Sequence, residues 1–249
     1  MAVLIVTLER DRPYRPPREG GSGAPEKRTG LADLRRVVRS RYAWHLGFIY
    51  LLFAFAYLTY YTFFQKRLIA DLGLSSGTAG TLFMIARVAS LVCAMFWGVA
   101  SDRFGRGRAL AAVFAAQAIA ACLFAIRPNM ATLVISAVIF GSAVFSVSGL
   151  IAAACGDRFG ARLAFASMGF VTIFIGTGQA VGPYVGGLLE DVFGSLGPSY
   201  LLCAFVFVVG AVASFLLPDA RPTRSTPPGG QAATDITPGV GLGAPLDEA

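Results

Sequence analysis

Long apolar segments alternate with short polar ones along most of the chain, and charged residues, glycine or proline bound each apolar segment. Each segment is close to the ~20 residues that an α-helix needs to cross the hydrocarbon core of a bilayer. None alternates apolar and polar residues over about ten positions, as the strands of a membrane barrel do. The pattern therefore predicts an all-α membrane protein with six transmembrane helices, at residues 43–64, 77–100, 109–126, 131–154, 163–189 and 196–217.

The two ends of the chain differ from this bundle. Residues 1–42 and 218–249 are rich in proline, glycine and charge, so we expect a basic cytoplasmic linker before the six-helix bundle of residues 43–217 and a disordered cytoplasmic tail after it. Residues 31–40 place apolar and arginine side chains on opposite sides of a short helix, which predicts either an interfacial helix on an anionic leaflet or a solvated helix. Residues 1–8 are typical of the end of a spanning helix, so we expect the chain to begin inside a larger product.

Composition supports a membrane protein, and the distribution of charge predicts how the chain is oriented in the membrane. Hydrophobic residues make up 55% of the 249 and charged residues 14%, well below the roughly 25% charged of soluble domains. Of the 21 Lys and Arg residues, 17 fall in the N-terminal segment, in loops 101–108 and 155–162 and in the C-terminal tail, and three fall in the intervening loops. Because positive charge favours the cytoplasmic side, we expect a multi-pass protein of the plasma membrane (the bacterial inner membrane) with both termini cytoplasmic. The net charge of +7 needs no nucleic-acid partner to explain it.

The sequence Asp-Arg-Phe-Gly occurs twice, at residues 102–105 and 157–160, in two loops that this topology places on the same face. Their glycines predict tight reversals of the chain. Asp102 follows the second predicted helix, where its carboxylate can approach the start of the fifth helix or pair with Arg158 or Arg162. Such a contact predicts a cytoplasmic gate that is made and broken as helices rock. The alternative is that the arginines only fix the topology.

The first of these loops resembles the loop signature of the major facilitator superfamily, Gly-x-x-x-Asp-Arg-x-Gly-Arg-x-Arg. The matching positions are Gly98, Asp102, Arg103, Gly105, Arg106 and Arg108. Residues 178–187 are similar to the fifth-helix pattern of the same superfamily, Gly-x-x-x-Gly-Pro-x-x-Gly-Gly. The matching positions there are Gly178, Gly182, Pro183, Gly186 and Gly187. Both motifs fall on the expected helices of a six-helix array, and the resemblance covers about residues 31–218.

This resemblance implies a secondary transporter whose complete fold has two six-helix halves, and one half of three plus three helices for this chain. Residues 131–154 lack the Arg and Gln of the fourth-helix pattern common in N-terminal halves, and the basic lead-in to the first span resembles the family's central linker. We therefore expect the C-terminal half. The resemblance further implies proton-driven alternating access in a lipid bilayer, no cofactor, and a missing N-terminal half or a second copy as partner.

Glycine recurs at every fourth position of the second motif. Gly178, Gly182 and Gly186 lie on one face of a helix, which lets another helix approach closely. Pro183 removes a backbone donor and can kink the span. The stripe therefore predicts helix packing or, as the alternative, a flexing seam between two halves. Gln179, beside the stripe, needs a polar partner and is a candidate for solute contact.

Arg87 is the charged residue in the middle of the second predicted span. A charge at the bilayer centre costs about 3 kcal/mol or more. No predicted span contains a carboxylate, so the guanidinium predicts a clamp for an anionic substrate. The alternative is a structural arginine satisfied by carbonyls of a neighbouring helix. Ser90 lies on the same helical face and is a second candidate, whereas Leu82 and Ile85 lie opposite and are expected to meet lipid.

The first predicted span carries an aromatic stripe, in which Tyr57 and Tyr60 are candidates for substrate contact; packing is the common alternative for such stripes. The four cysteines have no metal-ligand spacing and predict no metal site.

Rival classes fit less well. An intramembrane serine protease would need a nucleophile motif and a deep histidine, but the nearest stretch is 146–149 and the single histidine, His45, lies at the wrong end. No phosphate-binding loop for an ATP-driven pump is present. We therefore expect no enzyme but half of a transporter for a small organic, anionic solute. The remaining alternative is a truncated, non-transporting remnant or scaffold that only assembles with a partner chain.

Overall fold

The computed structural model describes residues 31–126 and 129–218, without the side chains of residues 31–33, 92, 94, 95, 161 and 162. This described part consists of helices and turns and contains no strand. The predicted all-α fold is confirmed. Most of the predicted basic linker (residues 1–30) and of the predicted tail (residues 219–249) lies outside the described residues.

Seven α-helices make up the described part of the chain. They run over Leu31–Val38, Arg41–Lys66, Ser76–Phe104, Arg106–Ala125, Met130–Val144, Ser146–Phe193 and Gly197–Phe215, and a π-helical turn at Arg67–Asp71 extends the second of them. The short helix Leu31–Val38 lies where the sequence predicts an interfacial helix. Its Val37 is buried, whereas Arg35 and Arg36 are exposed.

These helices form the spans of a membrane bundle. Five spans are long and apolar enough by themselves; in chain order they are the first, third, fourth, fifth and sixth, at Arg41–Asp71, Arg106–Ala125, Met130–Gly160, Leu163–Phe193 and Gly197–Phe215. The second span consists of two pieces, Ser76–Leu91 and Phe96–Phe104, which meet at 47°. With this bent pair counted as one, the structure has the six predicted spans. Several ends are longer than predicted, because the helices continue into charged residues that the membrane surface tolerates.

Glycines set how closely the spans approach one another. The first span packs most extensively on the fifth, the second on the fourth, and the third on the sixth. A methyl group at Gly178 would lie 2.5 Å from the carbonyl oxygen of Leu51, and one at Gly182 would overlap the carbonyl oxygen of Phe55. Gly141 of the fourth span meets the backbone of Ala86 in the same way. At these points helix backbone touches helix backbone, which only a residue without a side chain permits.

Aromatic rings fill the centre of the bundle on the side away from the Asp-Arg-Phe-Gly turns. Tyr60 stacks on Phe140 with ring centroids 3.7 Å apart, and Tyr200 meets Tyr60 edge to face at 5.2 Å. The Tyr200 hydroxyl donates to the carbonyl oxygen of Tyr60 at 3.0 Å. This packing joins the first, fourth and sixth spans around one core.

A buried arginine closes the end of the bundle opposite the turns. Arg67, in the π-helical turn, donates to the carbonyl oxygens of Phe124 and Ala125 at 3.1 and 2.7 Å, so it satisfies the free end of the third span. It also pairs with Asp71 at 3.2 Å, and Asp71 accepts a hydrogen bond from the backbone of Leu196 at 2.8 Å. This pair therefore connects the first span to the end of the third and to the start of the sixth.

The glycine contact between the first and fifth spans generates a stability prediction. Gly182→Ala forces a methyl group against the Phe55 carbonyl and the Thr59 hydroxyl, so we expect a loss of about 1–3 kcal/mol, as for other overpacked positions. Gly176→Ala in the same span is the matched control, because a methyl group there meets nothing within 4 Å. Thermal unfolding in detergent measures both. Equal midpoints for the two variants would contradict the proposed contact.

Candidate functional site

A cavity of about 180 Å³ lies among the first, second, fourth and fifth spans. It is lined mainly by aromatic and apolar side chains with a few polar groups, which is the usual character of a small-molecule site. The lining residues are Phe53, Tyr57, Leu58, Tyr61, Arg87, Val144, Phe145, Ser148 and Ile175.

Arg87 is the charged group of this cavity. Its guanidinium lies over two aromatic rings, 4.3 Å from the ring centre of Tyr61 and 4.8 Å from that of Phe83. The rings stabilise the cation through their negative faces, and among the described residues no acceptor is seen for the in-plane N–H donors. The residue is exposed, so these donors are accessible from the surface of the bundle. Arg87 is thus held by the chain and available to a solute.

Hydroxyl groups supply the other polar contacts in the cavity. The Gln179 side-chain amide donates to the Tyr57 hydroxyl at 3.0 Å, and the Tyr50 hydroxyl donates to that of Ser148 at 3.0 Å. Tyr57 and Ser148 are acceptors in these bonds, so each can donate its own hydrogen to a bound solute. Among the described residues that line the cavity, none carries a carboxylate. The cavity therefore presents donors and a cation, which suits a solute rich in acceptors.

The structure divides the sequence-predicted solute contacts into two groups. Arg87 and Tyr57 line the cavity, and Gln179 holds the Tyr57 hydroxyl. Ser90 and Tyr60 lie elsewhere. Ser90 is buried and donates to the Arg87 carbonyl at 2.6 Å, and Tyr60 is buried in the aromatic core with its hydroxyl 2.9 Å from that of Ser136. The hydrogen bonds of both hydroxyls are made within the bundle.

Sequence reasoning missed several lining residues. Tyr60 and Tyr61 follow Tyr57 by three and four positions, so helical spacing allows either to share its face, and in the structure Tyr61 is the one that lines the cavity. Ser148 and Phe145 belong to the fourth span, at the point where one helix ends at Val144 and the next begins at Ser146. The spacing of the tyrosines was a usable signal. Nothing in the apolar run around Phe145 marks the break.

The second span also turns differently from the prediction. Leu82 was expected to meet lipid, but it is 2% exposed, and its neighbour Ala86 is buried against Gly141. Met84 and Leu91 are exposed instead. The absence of a side chain at Gly141 explains the difference, because it lets the fourth span take the face that hydrophobicity alone assigns to lipid.

The two Asp-Arg-Phe-Gly stretches form equivalent turns. The glycine of the first, Gly105, has φ 94° and ψ 152°, and that of the second, Gly160, has φ 71° and ψ 167°. This region of backbone space is essentially restricted to glycine. Each glycine breaks one helix and starts the next, between the second and third spans and between the fourth and fifth. The motif thus specifies the same sharp reversal twice.

Arg106 joins the two turns. Its guanidinium contacts Asp157 of the second turn at 2.8 Å, the Ser101 hydroxyl at 2.8 Å and Asp102 at 2.7 Å. Asp102 thus pairs four residues along its own chain, and the expected partner, Arg158, lies over the Tyr42 ring at 5.5 Å. The predicted contact between the turns exists with its charges reversed: the first turn provides the cation and the second the carboxylate.

The remaining motif residues surround this ion network without joining it. Arg103 and Arg108 are exposed, and a methyl group at Gly98 would meet nothing within 4 Å. The predicted role of the Arg162 side chain lies outside the described residues. A second cavity, of about 440 Å³, is lined by Gly98, Asp102, Arg106, Phe145, Ser146, Gly149, Leu150 and Ala153. Phe145 is a lining residue of both cavities.

In the second motif, the glycines face the first span. Gly186 lies against Thr59 and Phe63, continuing the contacts of Gly178 and Gly182, while a methyl group at Gly187 would meet only Phe63 at 3.9 Å. The fifth span continues as helix through Pro183. The stripe contacts a helix of the same bundle, which favours packing over the alternative of a seam between halves.

The Arg106 network generates a second prediction. We expect a double-mutant cycle of Arg106→Ala and Asp157→Ala to give a coupling of about 0.5–1 kcal/mol in unfolding free energy, because both side chains are partly buried, 23% and 32% exposed. The cycle of Arg106→Ala with Asp102→Ala should give less, since the Asp102 side chain is 68% exposed. A cycle of Arg108→Ala with Asp157→Ala is the control with no coupling expected. A larger coupling through Asp102 than through Asp157 would contradict the assignment.

Comparison with known proteins places this geometry in a family. Residues 2–215 match the family model described as "Uncharacterised MFS-type transporter YbfB". The chain is also 24% identical over 143 residues to the "Uncharacterized MFS-type transporter YuxJ" of Bacillus subtilis (strain 168), which covers 57% of this chain and 36% of that protein.

Solved structures agree in fold. A variant of the fucose:proton symporter FucP of E. coli superposes with a TM-score of 0.62 at 19% identity, and FucP in its outward conformation with 0.64 at 20%. Each match covers 80% of this chain and 48% of the other, so the chain spans about half the length of these transporters. Because the family model matches most of its length, the chain belongs to the MFS-type transporters of the major facilitator superfamily, as a multi-pass membrane protein with the fold of one six-helix half.

Proposed function

We propose that this chain is one half of a secondary active transporter for a small organic anion, with Arg87 as the anion clamp. The observation that carries the proposal is the cavity around Arg87, whose described polar groups are a guanidinium and hydroxyl donors with no carboxylate. A planar guanidinium fork matches the two oxygens of a carboxylate. Tyr57 and Ser148 add hydrogen bonds, and Gln179 fixes the Tyr57 hydroxyl. Protons remain the coupling ion that the family resemblance suggests.

The position of the site in the bundle supports a half-unit role. Arg87 and the neighbouring apolar side chains Met84, Val88 and Leu91 are exposed on the second span. A guanidinium facing lipid costs several kcal/mol, so a second bundle that covers this face is favoured. Alternating access also needs two bundles that rock about a site between them. The partner is a six-span N-terminal half or a second copy of this chain. With an N-terminal half as partner, this chain serves as the C-terminal half.

The Arg106 network acts in this proposal as a gate on one side of the site. Asp102 and Arg106 line the second cavity, which shares the lining residue Phe145 with the Arg87 cavity. The ion pair between Arg106 and Asp157 holds the two turns together while this side is closed. Rocking of the bundle separates the turns and moves the Phe145 ring away from the path.

The face that carries both turns is cytoplasmic in this proposal. It holds the excess of Lys and Arg residues, and both termini lie on it, in a bacterial inner membrane. The helix Leu31–Val38 has exposed arginines beside the exposed apolar residues Leu34 and Val38. Such a helix suits the surface of an anionic leaflet.

The competing function is a non-transporting remnant or scaffold that only assembles with a partner chain. The observation that favours it is that the described residues form one bundle of spans, whereas alternating access needs two. Flux measurements separate the two functions, because a scaffold would assemble with a partner and still carry nothing.

Reconstitution with a partner half tests the transport proposal. We expect the monomeric chain to insert in liposomes without carrying solute, because one bundle cannot alternate access. Reconstituted as a dimer or with an N-terminal six-span half, it should transport radiolabelled carboxylates, with butyrate, succinate and benzoate as probes and glycerol as the neutral control. Arg87→Lys should reduce this flux at least about tenfold, because a point charge cannot replace the two-pronged contact.

The matched control for this experiment is Arg39→Lys, the same exchange at an exposed arginine outside the cavity. We expect its flux to equal that of the unmodified chain. Full carboxylate flux in Arg87→Ala would refute the clamp, and assembled protein without flux of any probe would favour the scaffold.

Reporter fusions test the orientation. A fusion after Gly73, in the loop between the first and second spans, should report the non-cytoplasmic side, and one after Arg103 should report the cytoplasm. The reverse pattern would overturn the assignment of the gate to the cytoplasmic face.

A further inference from the structure

The cavity around Arg87 is walled by aromatic rings as well as by donors. Phe53 and Tyr57 stack with their ring planes 9° apart and their centres 4.8 Å apart, and Tyr61 follows at 6.3 Å in an edge-to-face contact. All three belong to the first span and are spaced by four residues, so their rings form one continuous wall. On the fourth span, Phe145 lines the same cavity and is 53% exposed. Accessible rings therefore come from two different spans.

The charged end of the cavity is held by rings as well. Tyr61 and Phe83 lie on the guanidinium of Arg87 at 4.3 and 4.8 Å. Among the described residues, the Tyr61 hydroxyl is buried without a hydrogen-bond partner. A buried donor without an acceptor destabilises the fold. The favourable contribution of Tyr61 is therefore the contact of its ring with the Arg87 guanidinium. Tyr61 is thus a positioning residue, which orients the guanidinium toward the cavity next to the aromatic wall.

We propose that the solute is a single-ring aromatic carboxylate, whose carboxylate binds Arg87 and whose ring packs against Tyr57 and Phe145. This inference rests on the proposed anion site and adds the class of its ligand. The part of the cavity built by this chain, about 180 Å³, equals about six water molecules at about 30 Å³ each. This part is below the roughly 300–1,000 Å³ of sites for drug-sized ligands, so this chain encloses room for one ring beside Tyr57 and Phe145. Ring-on-ring contact adds to simple apolar burial, and an aliphatic acid of the same size lacks it.

Ligand comparison tests the aromatic contact on the unmodified chain. Equilibrium dialysis of the purified 249-residue protein in nanodiscs measures binding of radiolabelled benzoate, with cyclohexanecarboxylate, butyrate and benzyl alcohol as competitors. We expect benzoate to bind about 3–10-fold more tightly than cyclohexanecarboxylate, which has the same charge and a similar size without an aromatic face. Butyrate and benzyl alcohol should compete more weakly still, because one lacks the ring and the other the charge.

Paired variants locate the contact. Tyr57→Leu should remove the preference for benzoate over cyclohexanecarboxylate, whereas Tyr57→Phe, which keeps the ring, should retain it. Tyr61→Phe keeps the ring against Arg87, so it should lose much less carboxylate affinity than Tyr61→Leu, which should weaken all carboxylates alike. Tyr184→Leu is the control, since Tyr184 lies on the fifth span, is 68% exposed and does not line the cavity.

The outcomes separate this inference from the proposed function. Equal affinities for benzoate and cyclohexanecarboxylate, both lost in Arg87→Ala, would overturn the aromatic class and leave the anion site standing. Carboxylate binding unaffected by Arg87→Ala would overturn both. A preference for benzoate that survives in Tyr57→Leu and in Phe145→Leu would overturn the assigned ring contacts, and absence of benzoate binding at millimolar concentration would overturn the inference itself.

Discussion

The structure depends on two places where helix backbones touch at glycine. Gly178 and Gly182 bring the fifth span onto the backbone of the first, and Gly141 brings the fourth span onto the second at Ala86. In a membrane, apolar side chains gain little by leaving lipid, so close van der Waals contact and interhelical hydrogen bonds have to supply the association. Both contacts lie beside the cavity. The first positions the span that carries Tyr57, and the second positions the span that carries Arg87, so the glycines that hold the bundle together also set the shape of the site.

At the basic face of the bundle, the two Asp-Arg-Phe-Gly turns hold neighbouring spans together. A positive-φ glycine ends the helix at Gly105 and again at Gly160, so the two reversals have matching geometry. Arg106 follows the first reversal at once and Asp157 precedes the second by three residues, which lets one ion pair bridge them. At the opposite end, Arg67 and Asp71 satisfy backbone groups of the third and sixth spans. One end is closed by buried hydrogen bonds, and the other by a partly exposed ion pair that costs less to separate.

The sequence predicts well what depends on one helix at a time. The six spans follow from hydrophobic length. The close packing at Gly178, Gly182 and Gly186 follows from their four-residue spacing. What depends on a second helix is predicted less well: nothing in the apolar run of the second span indicates that the fourth span will pack against it at Gly141 and Ala86. Asp102 pairs with Arg106, and Arg158, one of its expected partners, lies over the Tyr42 ring instead. Arg106, four residues after Asp102, is its near neighbour in the chain. Asp157 is distant in sequence from Arg106, and the fold of the second turn brings the two together. Tyr60 and Tyr61 differ by one position, yet about 100° of helical rotation puts one in the core and the other in the cavity.

Arg87 shows why the cavity should be part of a larger assembly. The two rings that hold its guanidinium contribute about 0.5–2 kcal/mol of cation–π attraction, less than the cost of placing an arginine at the centre of a bilayer. Helix carbonyls could have made up the difference, as they do for Arg67, where two carbonyls and a carboxylate accept its hydrogen bonds. The two arginines therefore differ in their surroundings. Arg67 is buried and saturated, as suits a residue that holds helices together. Arg87 is exposed and stacked on rings, and no acceptor for its donors is seen among the described residues, so its favourable partners are an anion, water in a central cavity, or a second bundle that encloses both.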